Sequence, residues 1–160
     1  MSILMWLEST WFGTFIRESE SIWAYPTFST IHTIGLSIIV GTSAIVAIRL
    51  LGFAPTMRLA PLKRLFPFMW FGFAINLFSG SLMAAASARH IIPNPLFITK
   101  MTLVLGALVI MRALQVRVFR GPEAGNKPLD RMTHLLAGLM LCLWLFAMIT
   151  GRLIAYVNFD

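Results

Sequence analysis

The chain has 160 residues, 58% of them hydrophobic and 12% charged, with a formal net charge of +7 and a mean hydropathy of +0.82. Soluble domains carry about 25% charged residues, so this composition excludes an ordinary water-soluble globule and points to lipid as the solvent. The basic excess gives no support to nucleic acid as a partner: Lys and Arg cluster between apolar spans, where headgroups and topology account for them.

At the start of the chain there is no basic stretch before the apolar one, and Glu8 interrupts it, with Arg17, Glu18 and Glu20 following. That pattern argues against a cleaved signal peptide. Residues 3–17 carry Trp6, Trp11, Phe12, Phe15 and Ile16 among polar neighbours. They predict an amphipathic interfacial helix on the outer leaflet, anchored by its indoles. Tyr25-Pro26 then turns the chain into the first span.

Four apolar segments follow, at about 27–51, 66–88, 96–118 and 132–157. Each is long enough to cross a hydrocarbon core, which needs roughly 20 helical residues. Breakers separate them: Gly52 and Pro55 to Pro61, then Pro93-Asn94-Pro95, then Gly121-Pro122 through Pro128. Backbone groups in lipid must be satisfied within the segment, so the spans are helices rather than strands. The expected fold is an all-α integral membrane protein, a four-helix bundle forming a single domain over 1–160. The lone Cys142 sits in an apolar run and excludes a disulfide framework or CxxC motif.

Orientation follows from the basic residues. The first connection and its flanks hold Arg49, Arg58, Lys63 and Arg64; the third holds Arg117, Arg120, Lys127 and Arg131, with Arg112 able to snorkel. The positive-inside rule places both in the cytoplasm. A bacterial inner membrane with both termini periplasmic is the expected setting.

Ionisable groups inside membrane helices are costly and mark candidate sites. His32 lies about one and a half turns from the outer end of span one, and Lys100 about one turn into span three. His90 and Arg89 close span two, and Arg152 lies near the outer end of span four. Five nitrogen-bearing side chains from four helices are thus expected near one face. His134 begins span four at the other side, roughly 20–25 Å from His32 along the membrane normal. Two axial histidines stand only about 4 Å apart across a metal, so depth alone disfavours a His32–His134 pair. His134 is left as an interfacial residue or the mark of a separate cytoplasmic-side site.

Small residues at helical spacing, Ser37 with Gly41, and Gly72, Gly80, Ala84 and Ala88, predict close helix packing. Of the ten methionines, only Met83 and Met101 fall near the outer cluster. Copper through thioether and imidazole ligands is therefore a weaker reading than haem.

The pieces Phe28-Ser-Thr-Ile-His32-Thr-Ile, Phe78-Ser-Gly80 and Ile98-Thr-Lys100-Met-Thr-Leu-Val-Leu, in this helix order, resemble the four-helix membrane proteins of the HemJ type of protoporphyrinogen oxidase and the CopD type of copper-resistance protein. The resemblance implies haem b at His32, with Lys100 in or beside the site. Ile39 stands where that group commonly has Trp, and His134 where span four often begins with an acidic residue, as in a divergent member. The leading expectation is a membrane haem-b redox protein, an electron carrier or haem-dependent oxidoreductase with its site near the periplasmic face. His32 supplies one axial nitrogen and His90 or Lys100 the other, while Arg89 and Arg152 neutralise the propionates. Quinone or a periplasmic redox protein is the expected partner. The alternatives are a CopD-like copper-handling protein using His32, His90, Met83 and Met101, and a structural subunit, in a homo-oligomer or larger membrane complex, whose polar groups serve packing.

Overall fold

The computed structural model describes residues 3–11, 14–15, 23–120, 129–154 and 156. Helices α1 (Ile3–Glu8), α2 (Ala24–Leu50), α3 (Leu65–Ala86), α4 (Ala88–Ile91), α5 (Pro95–Phe119) and α6 (Arg131–Leu153) follow one another, with a 3-10 turn over Ala60–Arg64 before α3. No strand occurs among the described residues. The protein is all-α, and α2, α3, α5 and α6 are each long and apolar enough to cross a membrane.

The spans fall within a few residues of expectation, and the differences have local causes. α2 starts before Pro26 because a proline in the first turn interrupts no helical hydrogen bond. α3 stops at Ala86, where Ser87 leaves helical geometry at φ −138° and ψ 45°, and Arg89 and His90 fall on the separate helix α4. α5 begins at Pro95, capped by Asn94, whose side chain accepts from Leu96 N at 2.9 Å. α6 begins after Asp130, which accepts from Thr133 N at 3.1 Å and from Thr133 Oγ1 at 2.5 Å and pairs with Arg117. The expected last turn of span four runs partly beyond the described residues. So do Lys127 and the Gly121-Pro122 to Pro128 breaker.

The expected helix over 3–17 is shorter than the sequence suggests. It ends at Glu8, turns at Ser9-Thr10 and is helical again at Trp11, Thr14 and Phe15. Phe12, Ile16 and Arg17 lie outside the described residues. Trp6 and Trp11 are exposed, as an interfacial anchor requires, but Glu8 is buried, because α1 packs on α3 and α4.

The bundle is built from two antiparallel hairpins, α2 with α3 and α5 with α6, joined chiefly where α2 meets α6. Between apolar helices in lipid, association rests on close van der Waals packing, and the α2–α3 crossing achieves it at two glycines. A Cβ on Gly72 would stand 2.9 Å from Gly35 O and 2.9 Å from Ile39 N, and one on Gly35 would stand 2.9 Å from Asn76 N. The expected use of Ser37 and Gly41 is corrected: both are exposed, and nothing lies within 4 Å of a Cβ on Gly41. Gly35, two residues away, faces the neighbouring helix instead.

Burial is uneven along the bundle. At the end that carries the 60–64 turn, Phe66 and Phe119 meet edge to face at 5.2 Å between centroids, tying α3 to α5. Towards the other end no residue from Pro95 to Gly106 is buried, and along their whole length α3 and α5 share no extensive contact. The two hairpins are therefore close-packed at one end and open between α3 and α5 towards the other. The open half contains His32 and Lys100.

Candidate functional site

His32 is half-buried on the inward stripe of α2, one turn before the Gly35 crossing that brings α3 close. Its ring lies against Gly80, where a Cβ would stand 3.0 Å from Cε1. Its Nδ1 is 3.1 Å from Ser79 Oγ. Ser79 donates its own proton to Ile75 O at 2.7 Å, so towards His32 it acts as acceptor and Nδ1–H as donor. With Nδ1 engaged by Ser79, Nε2 is the ring nitrogen without a partner among the described residues. The backbone carbonyl of His32 also accepts from Asn76 Nδ2 at 3.0 Å. Ring and backbone are thus both held by α3, the arrangement by which an outer hydrogen bond orients a metal-binding imidazole.

Lys100 lies on the first turns of α5, five residues after its start at Pro95. The end of its side chain rests over Gly151, where a Cβ would stand 3.3 Å from both Cε and Nζ. Lys100 is half-buried and forms no ion pair or hydrogen bond with the described residues. An ammonium so placed favours an anionic group beside it.

The remaining members of the expected cluster are elsewhere. Arg89 is held by Glu8: Nε lies 2.6 Å from Oε2, and the backbone N–H donates to Oε1 at 2.9 Å. Glu8 was visible in the sequence only as a break in an apolar stretch, and folding brings it onto α4 to take the charge of Arg89. Arg152 is exposed, with its guanidinium carbon 5.9 Å from the Tyr156 ring centroid. His90 is exposed on α4. Roughly 10 Å of helix separates Ser79 from the end of α3, and His90 lies beyond it. His90 thus sits on a separate helix from the stretch of α3 that holds His32.

His134 is at the opposite end, where Nδ1–H donates to Asp130 O at 2.8 Å. The rise of α6 from His134 to Gly151 is about 25 Å, in line with its expected separation from His32. Met83 is half-buried and Met101 exposed. Among the described residues no group of three His, Cys, Asp or Glu side chains gathers for a metal ion. A haem iron needs only one or two protein ligands.

Ser79, Asn76 and Gly151 had no place in the sequence-based site. Asn76 carried the only available signal, an amide inside an apolar span, where polar side chains usually bond a neighbouring helix. No curated protein and no solved structure matches the chain. The pattern of a family of unknown function, DUF6644, matches residues 3–157, nearly the whole chain, and the protein belongs to that family.

Proposed function

We propose that the protein is a membrane-embedded haem-b redox protein whose site lies around His32, near the periplasmic face. The observation that carries this reading is the orientation of the His32 imidazole: Ser79 occupies Nδ1, so Nε2 is the nitrogen left to bind iron. The residues fit the group in two further respects. Gly80 has no side chain where the ring edge lies, which lets the imidazole seat against α3 in a fixed orientation. Lys100 brings a cation that the described residues do not neutralise, suited to a propionate.

Bound there, haem b supplies one-electron chemistry, at a potential set by its ligand, burial and hydrogen bonding. His32 holds the iron, Ser79 holds His32, and Lys100 balances charge. Glu8 already neutralises Arg89, so the propionate role passes from Arg89 to Lys100. The opening between α3 and α5 supports access from the lipid, for the macrocycle or for a quinone that exchanges electrons with it. The basic connections, Arg49 to Arg64 and Arg117 to Arg131, support a cytoplasmic position for the close-packed end.

The test compares His32→Ala with His90→Ala, each purified in detergent and assayed for pyridine haemochrome. Haem is expected to be lost in the first and retained in the second. Equal retention in both would overturn the assignment.

A further inference from the structure

Two polar atoms deep in the bundle, Ser43 Oγ and Trp144 Nε1, have no hydrogen-bond partner among the described residues. Both residues are buried, with exposures of 0% and 2%. Ser43 continues the inward stripe of α2 that runs from His32 through Ile39. Trp144 sits on the inward stripe of α6 between buried Met140 and Ala147.

Helix register brings the two together. α2 and α6 pack antiparallel, and a Cβ on Gly138 would stand 3.9 Å from Leu51 Cδ2. From Leu51 up to Ser43 is a rise of about 12 Å, and from Gly138 up to Trp144 about 9 Å. The two residues therefore sit on contacting helices with backbone heights that differ by about 3 Å. They lie near mid-depth, well below Lys100 and His32.

Buried polar atoms are nearly always hydrogen-bonded, to protein or to internal water. An indole N–H can only donate, whereas a hydroxyl both donates and accepts. A guest between them must accept from the indole and exchange a hydrogen bond, in either direction, with the hydroxyl. A single water meets these requirements; an apolar chain offers no acceptor, and an ion needs more ligands than two.

We infer that Ser43 and Trp144 bind one internal water, bridging the two hairpins where they join. The inference does not depend on haem.

The test uses the full chain in detergent micelles with 15N-labelled tryptophan. The Trp144 indole signal is assigned by elimination, through single Phe variants of the four exposed residues Trp6, Trp11, Trp23 and Trp70, so that no core variant is needed. Water-selective magnetisation transfer is then measured at the Trp144 indole proton. The expected result is a cross-peak with the sign of a long-lived bound water, weakened at least several-fold by Ser43→Ala. An indole proton with no water cross-peak, or one unchanged by Ser43→Ala, would overturn the inference.

Discussion

At the residue scale the account rests on how each ionisable group is satisfied. Ser79 holds the Nδ1 side of the His32 ring, and outer contacts of this kind to a metal-binding imidazole typically contribute 10–100-fold in metal affinity. Ser79→Ala is therefore expected to retain some haem but to lose it roughly 10-fold or more readily during titration with a competing apo-globin. If Lys100 acts as a cation rather than an iron ligand, Lys100→Arg should keep haem and Lys100→Met should shed it. Loss in both would assign Lys100 to the iron instead. At the other end, the Arg117 guanidinium, and then the Thr133 hydroxyl and N–H, hold the Asp130 carboxyl below the usual carboxylate range. A carboxyl lowered in the folded state stabilises fully above its unfolded value, near 3.8, and loses that contribution as pH falls further. Thermal unfolding should therefore show a drop below about pH 4 that is smaller in Asp130→Asn.

At the element scale the decisive contact is the α2–α3 crossing. Valine at Gly72 would force backbone atoms 2.9 Å from its Cβ to move, and overpacking of this kind costs about 1–3 kcal/mol. Gly72→Val should lower unfolding stability in mixed micelles by about that amount, while Gly41→Ala, which meets nothing, should leave it unchanged or raise it by up to about 1 kcal/mol. The contrast bears on what the sequence could reveal. Lipid tails are as apolar as a neighbouring helix, so hydropathy located four spans and their ends but not which face of each meets protein. Small residues occur on both faces of α2, and the exposed pair Ser37 and Gly41 reads no differently from Gly35. The site was legible where polarity broke an apolar span, at His32 and Lys100. It was illegible at common polar residues such as Ser79, which folding brings against His32. Charge depth also grouped Arg89 with the site, because nothing in a linear pattern showed that Glu8 would fold back onto it.

At the scale of the whole molecule, α1 is fastened to α4 through Glu8 and Arg89, while the hairpins remain open between α3 and α5. Glu8→Gln should loosen α1 without dismantling the bundle, seen as faster proteolysis near the start of the chain with the four spans left intact. Both features place His32 in the less densely packed half of a membrane domain, a position suited to a large, flat, amphiphilic cofactor. The most direct measurement is the absorption spectrum of the detergent-purified protein, oxidised and then reduced. The account predicts a Soret band that shifts on reduction and sharp visible bands of haem b, stoichiometric with the chain. A colourless protein purified from haem-replete cells would contradict it.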